Sequence, residues 1–277
     1  MVATARTELQ KRVMTAAIGA SVLLTLVLAG DIYGTALVAA VLALAMMHEF
    51  VDMTMSLPDR EEKRWLLLAA TWLIAFANFW MPNAEYALLL LSFLGVFSYF
   101  LFTAARHQGE AFARHFRELV FAMFGVIYLA FLPLFLVSVR SQKDGAHWVM
   151  VFLLIVWAGD TGAYFAGKRF GKRKLYAEIS PKKTIEGGAG GLAAGLAATL
   201  LYKLLFFRSM GWLAVALIPL VVGTASAIGD LCESFLKRAF DRKDSGTLLP
   251  GHGGFLDRFD GIIFSLPVMY ACIRLLG

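Results

Sequence analysis

The sequence has few cysteines and few charged residues, and each shortage excludes a class of protein. Only two cysteines occur among the 277 residues, Cys232 and Cys272. They fall near opposite ends of neighbouring apolar segments, so we expect no structural disulfide between them. The sequence has no zinc-binding spacing of cysteine and histidine and no heptad array. Charged residues make up only 17% of the chain, whereas about 25% is usual for soluble domains.

Apolar residues are abundant instead. Hydrophobic residues account for 59% of the chain, and the mean hydropathy is +0.69. Several of the apolar runs approach the roughly 20 residues that a helix needs to cross a membrane. The second, third, seventh and ninth runs are shorter, so we expect them to tilt, to thin the bilayer or to recruit flanking residues. The nine predicted spans are residues 13–30, 34–47, 65–80, 86–105, 119–139, 148–166, 187–201, 211–228 and 261–276.

The distribution of basic residues predicts the orientation of these spans. With the N-terminus in the cytoplasm, all but five of the 26 Lys and Arg residues fall in cytoplasmic segments, which is the usual bias of membrane proteins. The N-terminal run resembles neither a cleaved signal nor a transit peptide. The sequence therefore predicts an all-α integral membrane protein, a polytopic bundle of about nine transmembrane helices. Because topology explains the net charge of +6, we expect no nucleic-acid partner.

The two halves of the chain differ in polar content. Residues 1–147 form N-terminal transmembrane spans with short connections, and we expect connections such as 58–64 and 106–118 to be solvated. Residues 148–277 contain two glycine-rich regions and two long cytoplasmic connections. We therefore predict that residues 148–277 are the catalytic transmembrane region.

The first long connection covers residues 159–188 and begins with Asp160 near the inner end of the sixth span. Positive charge at the cytoplasmic face explains most of its Lys and Arg residues. It does not explain Asp160, since acidic residues within a membrane are usually functional. We expect Thr184 to cap the seventh helix, with Gly187 and Gly188 allowing a closely packed start.

The second connection has a higher density of acidic residues. Asp230 is followed by Glu233, Ser234 and Lys237. We expect these residues to share one face of a helix and to point into a single cavity. Asp257 follows a Gly-His-Gly-Gly turn whose backbone N–H groups suit anionic oxygens. Mg²⁺ prefers one or two carboxylates together with substrate phosphates, so we predict that Asp230 and Asp257 bind it. The alternative is an ion-pair network that only holds the helix ends together.

The residues of this connection resemble the C-terminal motif of the phosphatidate cytidylyltransferases, also called CDP-diacylglycerol synthases. Segments 160–164 and 179–184 are similar to a second conserved segment of that family, and the specific resemblance covers residues 156–267. Many members have a serine at the position of Gly261, and we expect glycine there to loosen the start of the last helix. The matching residues are Ser234, Leu236, Lys237, Arg238, Lys243, Asp244, Gly246, Leu249, Pro250, His252, Gly253, Gly254, Asp257, Arg258 and Asp260.

The resemblance implies the reaction CTP + phosphatidic acid → CDP-diacylglycerol + pyrophosphate at the cytoplasmic face of a bacterial inner membrane. Such a reaction needs positioning and charge neutralisation rather than a covalent nucleophile. Surplus carboxylates in Asp244 and Asp260 leave room for a second cation besides Mg²⁺. The predicted catalytic residues are Asp160, Asp230, Lys237, Asp257 and Asp260. The predicted substrate contacts are Lys182, Lys183, Ser234, Arg238, Lys243, His252, Gly253, Gly254 and Arg258.

The four aspartates Asp160, Asp230, Asp257 and Asp260 are expected to converge in one water-filled cavity near the inner leaflet. We expect the sixth, eighth and ninth spans to bound this cavity, because lipid-exposed carboxylates would be too costly to keep. A lateral gap in its wall would admit acyl chains from the bilayer, and apolar packing would seal the extracytoplasmic side.

Two other functions are compatible with a polar site in a membrane protein. A CTP-dependent lipid-alcohol kinase would transfer the γ-phosphate instead of the CMP group. A transporter would place its charges near the middle of the membrane on broken helices, whereas these charges lie at the cytoplasmic ends. A CDP-alcohol phosphotransferase is disfavoured, since the chain has no Asp-Gly-x-x-Ala-Arg run. The sequence leaves open whether the protein is a monomer or a homodimer.

Overall fold

The structure, a computed structural model, describes residue 19 and residues 21–57, 59–80, 84–249 and 253–277. These residues are mostly helical, as the long apolar runs predict. Residues 21–28 are helical. The helices that follow are α1 (Asp31–Thr54), α2 (Arg60–Trp80), α3 (Glu85–Thr103), α4 (Glu110–Gly125), α5 (Phe135–Arg140), α6 (Gly145–Phe170), α7 (Ile185–Leu205), α8 (Trp212–Ala239) and α9 (Leu256–Leu276).

Shorter elements connect several of these helices. A 3₁₀ turn, Ala104–Arg106, follows α3, and the π-helical turn Val126–Phe131 and the 3₁₀ turn Leu132–Leu134 connect α4 to α5. Between α6 and α7, strands β1 (Lys174–Tyr176) and β2 (Ser180–Thr184) form an antiparallel hairpin. This hairpin was not predicted from the sequence.

Seven helical segments of the described chain are long and apolar enough to cross a membrane, so the protein is an all-α polytopic membrane protein. The third predicted span forms helix α2 but is less apolar than these seven. Most of the first predicted span lies outside the described residues. The seven segments are Asp31–Thr54, Tyr86–Arg106, Glu110–Arg140, Gly145–Phe170, Ile185–Leu205, Trp212–Ala239 and Leu256–Leu276.

The four short apolar runs are lengthened by flanking residues, which is one of the three outcomes expected for them. Helix α1 has 24 residues, and α2, α7 and α9 have 21 each. A rise of 1.5 Å per residue gives lengths of about 32–36 Å, enough for a hydrocarbon core about 30 Å thick. The apolar runs underestimated these helices because polar residues continue them at their ends.

The described chain forms two compact units. The first contains the residues up to Val137 and the segment Asp244–Arg258, and the second contains Ser138–Lys243 and Phe259–Gly277. Helix α9 therefore begins in the first unit and continues in the second. The division at residue 147 was based on polar content, and it stays a prediction about where function lies.

In the first unit, helices α2 and α4 contain buried charges within segments that were predicted to be connections. Lys63 is only 2% exposed and Glu118 only 4%, and Lys63 Nζ lies 2.5 Å from Glu118 Oε2. The backbone N–H of Ser56 donates to Glu118 at 2.9 Å. The expectation that segments 58–64 and 106–118 are solvated was therefore wrong for these side chains, because each charge has its partner in a distant part of the sequence.

In the second unit, glycines allow helices α6 and α7 to pack closely. A Cβ atom at Gly162 would lie 2.4 Å from the Cβ of Ala194, and one at Gly190 would lie 2.2 Å from the Cβ of Ala166. Small residues at such interfaces let helix backbones approach within a membrane. The packed pair α6 and α7 forms two walls of a cavity in the second unit.

Candidate functional site

The second unit contains a cavity of about 690 Å³ between α6, the β1–β2 hairpin, α7 and α8. This volume lies in the range of ligand-binding cavities, about 300–1,000 Å³. Much of its lining is apolar or glycine, including Gly159, Gly188 and Gly191. The charged side chains among the lining residues are Asp160, Lys168, Lys182, Lys183 and Asp230.

The polar centre of this cavity is formed by Asp160 on α6, Lys183 on β2 and Asp230 on α8. Lys183 Nζ makes an ion pair with Asp230 Oδ2. Asp160 interacts electrostatically with both Asp230 and Lys183. Two carboxylates thus face one partnered amine, a group that can attract further cations and orient an anionic substrate. The structure brings Asp160 and Asp230 to one cavity.

Local interactions at the start of α7 position Lys183. Thr184 caps the helix, since its Oγ1 accepts a hydrogen bond from the Gly187 N–H at 3.1 Å, which confirms the predicted cap. A Cβ at Gly187 would lie 3.0 Å from the Ala163 carbonyl, whereas Gly188 faces open space. The predicted close packing is therefore confirmed for Gly187 and wrong for Gly188.

The Glu186 side chain also stabilises this region, by accepting hydrogen bonds from backbone N–H groups. Its carboxylate accepts hydrogen bonds from the N–H groups of Lys172 and Arg173, at 3.1 and 3.2 Å. The Ile185 N–H donates to the Arg173 carbonyl at 3.0 Å. The segment that leads into β1 is thus attached to the first turn of α7, and the hairpin with Lys182 and Lys183 is held over the cavity.

Glu233 and Lys237 on α8 pair with each other as their shared helix face predicts. The expectation that Asp230, Glu233, Ser234 and Lys237 all point into one cavity was wrong, because only Asp230 of the four lines it. Glu233 is 1% exposed, and its Oε2 lies 2.6 Å from Lys237 Nζ one turn later. Lys237 also interacts electrostatically with Asp260 on α9, as do Asp230 and Lys183. Lys237 is therefore part of the same charged region as Asp230, in addition to its ion pair with Glu233.

Helices α8 and α9 approach closely beside these acids. A Cβ at Gly229 would lie 2.8 Å from the Asp260 carbonyl, and one at Gly261 would lie 2.6 Å from Ser226 Oγ. The Asp260 carboxylate accepts a hydrogen bond from the Gly261 N–H at 2.7 Å. The expectation that Gly261 loosens the start of the helix was wrong, because its lack of a side chain permits this close packing.

Asp257 belongs to the first unit, where its carboxylate organises the preceding loop. Its Oδ2 accepts hydrogen bonds from the N–H and the hydroxyl of Ser245, at 2.9 and 3.0 Å, and from the Gly254 N–H at 2.9 Å. The Gly254 N–H is therefore already engaged by Asp257. Asp230 lies in the second unit, so its pairing with Asp257 stays a prediction.

The remaining predicted substrate contacts differ in their surroundings. Arg238, Lys243 and Arg258 are exposed, and Arg238 donates to the Arg242 carbonyl at 3.4 Å. Ser234 is partly buried on α8. Gly253 has a backbone φ of +83°, which favours glycine. His252 lies outside the described residues, together with Pro250 and Gly251.

The walls of the cavity differ in part from the prediction. The sixth and eighth spans contribute as expected, but the seventh replaces the ninth among the lining residues. Asp260, on the ninth, interacts electrostatically with Asp230 without lining the cavity. The Gly-Gly-Ala-Gly-Gly run, residues 187–191, was the sequence signal for this wall, since it leaves helix α7 without side chains on several positions.

The donor set of the cavity suits a hard divalent cation. Among the described residues, no group of three or more His, Cys, Asp or Glu side chains could hold a metal ion. Asp160 and Asp230 supply carboxylate oxygens, the ligands that Mg²⁺ prefers, and Mg²⁺ commonly completes its shell with water and substrate phosphates. The residues present therefore fit Mg²⁺ bound jointly with an anionic substrate.

Comparisons with known proteins agree with this architecture. The model of the cytidylyltransferase family matches residues 10–276. A phosphatidate cytidylyltransferase from Bacillus subtilis is 40% identical over 161 residues, 58% of this chain and 60% of the relative. Phosphatidate cytidylyltransferases from Staphylococcus haemolyticus and Staphylococcus aureus are each 36% identical over 93% of this chain and 96% of their own length. The chain belongs to the cytidylyltransferase family.

Proposed function

We propose that this protein is a CTP:phosphatidate cytidylyltransferase, which makes CDP-diacylglycerol and pyrophosphate for phospholipid synthesis. The observation that carries the proposal is the cavity between membrane helices that holds Asp160, Lys183 and Asp230. Apolar and glycine walls suit a lipid substrate, and the charged centre suits phosphates. The relatives that match 93% of the chain bear the name of this activity.

The reaction joins two polyanions, so charge neutralisation is its main requirement. A phosphate oxygen of phosphatidic acid attacks the α-phosphorus of CTP, and the bond to the β-phosphate breaks as pyrophosphate leaves. Lys183 and Lys237 lie in the charged region and offset negative charge on the phosphates. Such catalysis rests on positioning and electrostatics. Arg238, Lys243 and Arg258 extend the basic surface for CTP and the lipid head group.

Mg²⁺ is proposed as the cofactor. When bound, it neutralises phosphate charge and orients the reacting groups. The sequence assigns it to Asp230 and Asp257, and the cavity offers Asp160 as a further carboxylate beside Asp230. A second cation is also proposed, with Asp244 and Asp260 as the acids that would bind it. The role of the chain's own residues is to hold carboxylate oxygens close to the phosphates and to keep Lys183 paired until substrate arrives.

The proposed location is the bacterial inner membrane, with the active site on the cytoplasmic side. The positive-inside distribution supports this orientation, and it gives CTP access from the cytosol while phosphatidic acid arrives from the bilayer. A homodimer is a further proposal, and the mass of the purified protein in detergent, measured by light scattering, separates it from a monomer.

The position of a radioactive label in CTP tests the proposed reaction. Purified protein is incubated with phosphatidic acid, Mg²⁺ and CTP labelled at either the α- or the γ-phosphate. We expect the α-label to enter the lipid fraction and the γ-label to leave as pyrophosphate. Entry of the γ-label into lipid, with a lipid alcohol as acceptor, would instead identify a kinase. The Asp230→Asn variant serves as the inactive control.

A further inference from the structure

Glu49 is a buried acid that the proposed reaction does not use. It lies on α1 and is only 2% exposed, next to the fully buried Met46, Met47 and Phe50. A carboxylate in such surroundings is costly unless hydrogen bonds compensate for the lost water. The partners of Glu49 therefore indicate why an acid is present at this position.

Within the part of the chain that the structure describes, two groups of the segment Asp244–Arg258 donate hydrogen bonds to Glu49. The Leu256 N–H donates to Glu49 Oε2 at 3.0 Å, and the Ser245 hydroxyl lies 3.3 Å from the same oxygen. Within the described residues, Glu49 Oε1 has no hydrogen-bond partner. A side chain of the first half of the chain thus holds both ends of a loop about 200 residues later in the sequence.

The same loop presents Asp257, one residue after Leu256. The Ser245 hydroxyl contacts Asp257 Oδ2 at 3.0 Å as well as Glu49. A hydroxyl has one proton to donate, so Ser245 serves one carboxylate at a time. The Leu256 N–H and the Ser245 N–H, which donate to Glu49 and Asp257 respectively, keep both carboxylates bonded in either case.

Two glycines of the loop make room for the Glu49 carboxylate. A Cβ at Gly246 would lie 2.5 Å from Glu49 Oε1, and a Cβ at Gly254 would lie 2.4 Å from Glu49 Oε2. Real Cβ atoms do not approach so closely, so either side chain would displace the acid or the loop. The fit between Glu49 and the loop therefore depends on the backbone as well as on hydrogen bonds.

We propose, resting on the function proposed above, that Glu49 is a positioning residue for the reaction. Its carboxylate fixes Ser245 and Leu256 and thereby holds Asp257 where it can serve as a ligand for Mg²⁺. Glu49 itself touches neither substrate nor metal. A loop without this anchor would sample several conformations, and Mg²⁺ binding would have to select the competent one, which lowers the apparent affinity.

The Glu49→Ala and Glu49→Gln variants separate this role from a purely structural one. Alanine removes the acceptor and leaves the Leu256 N–H unpaired, while the Ser245 hydroxyl retains Asp257 as its acceptor. Glutamine keeps one acceptor oxygen. The matched control is Glu118→Gln, which alters another buried acid of the first unit, 4% exposed and bonded to Ser56 and Lys63. The control disturbs the unit without touching the loop.

Two measurements are made on each purified full-length variant. Hydrogen–deuterium exchange of peptides covering residues 244–258 reports the loop without substrate or metal. The Mg²⁺ concentration for half-maximal activity reports the ligand site. For Glu49→Ala we expect the exchange rate of these peptides and the Mg²⁺ concentration for half-maximal activity to rise about ten- to a hundredfold each, because a buried donor is left unpaired. For Glu49→Gln both values should stay within about threefold of wild type. Glu118→Gln should change neither the exchange of residues 244–258 nor the Mg²⁺ requirement more than it changes the rest of the protein.

The proposal is overturned if Glu49→Ala leaves loop exchange and the Mg²⁺ requirement unchanged, or if Glu118→Gln shifts both equally. Should Glu49→Ala fail to fold, Glu49→Asp replaces it. Its shorter side chain withdraws the carboxylate from the Leu256 N–H and should shift both measurements in the same direction by a smaller factor. A wild-type protein that makes no CDP-diacylglycerol would contradict the proposed function instead. The exchange of residues 244–258 would then still show whether Glu49 holds the loop.

Discussion

Replacing Gly190 by alanine tests how closely helices α6 and α7 pack. A Cβ at this position would lie 2.2 Å from the Cβ of Ala166 and 3.2 Å from the Gly162 carbonyl oxygen. Carbon atoms in contact are about 3.5–4.0 Å apart. The two helices must therefore separate locally by roughly 1.5 Å, which weakens the neighbouring packing of the same interface.

The expected magnitude follows from two opposing effects. Alanine gains about 1 kcal/mol over glycine in helix propensity. Overpacking a tight interface costs about 1–3 kcal/mol, and the weaker dispersion attraction between the separated helices adds to this cost. We expect Gly190→Ala to be destabilised by about 1–2 kcal/mol. Gly188 lies on the same helix with no atom within 4 Å of its Cβ position. Gly188→Ala should therefore be stabilised by up to about 1 kcal/mol.

Thermal unfolding in detergent, followed by the fluorescence of the six tryptophans, compares the two variants. Both add one methyl group to helix α7, so their difference isolates the helix interface. A difference of about 1–3 kcal/mol corresponds to a gap of about 2–12 °C in Tm, with Gly190→Ala the lower. If Gly190→Ala were as stable as Gly188→Ala, the close packing of α6 against α7 would be refuted.

Three further predictions concern the charged residues and helix α9. Asp230→Asn and Asp257→Asn should each lower kcat by about a hundredfold or more, while the protein still folds and inserts into the membrane. Near-normal activity at limiting Mg²⁺ would exclude the ligand role of that residue. Lys237→Arg and Lys243→Arg should raise KM for CTP about tenfold, because a tight point-charge contact does not tolerate a planar guanidinium; unchanged kinetics would make them topology anchors. Gly261→Ser should cost about 1–3 kcal/mol through overpacking against α8, and an unchanged Tm would show that α8 and α9 are not tightly packed there.

Local patterns in the sequence predicted local structure well. Thr184 was expected to cap α7 and does so through the Gly187 N–H, because capping depends on residues only three positions apart. Charges at i and i+4 on α8 form the Glu233–Lys237 ion pair. Seven of the nine predicted spans correspond to helical segments of the described chain that are long and apolar enough to cross a membrane, since long apolar runs are visible in a sequence.

Contacts between distant residues were not predictable in the same way. Lys63 and Glu118 are 55 positions apart. The segment around each residue is rich in charged residues, which is typical of a connection exposed to solvent. Burial of such a charge is tolerated only when its partner is present, and a single sequence does not show which charges are partners. The β1–β2 hairpin was missed for a related reason, because its basic residues were explained by membrane topology.

No functional residue of the N-terminal half of the chain was predicted from the sequence. Glu49 shows the physical reason why such a residue was missed. The motif of the second half was recognised from its acids and glycines, and the glycines were assigned to phosphate binding. In the structure, the Gly254 N–H donates to Asp257, and the missing side chains of Gly246 and Gly254 leave space for Glu49. A glycine in a sequence can therefore be explained in two ways: it leaves space for a ligand, or it leaves space for a side chain from another part of the chain. Only the position of the Glu49 side chain on α1 distinguishes the two explanations. For Gly246 and Gly254 it favours space for a side chain of the same protein.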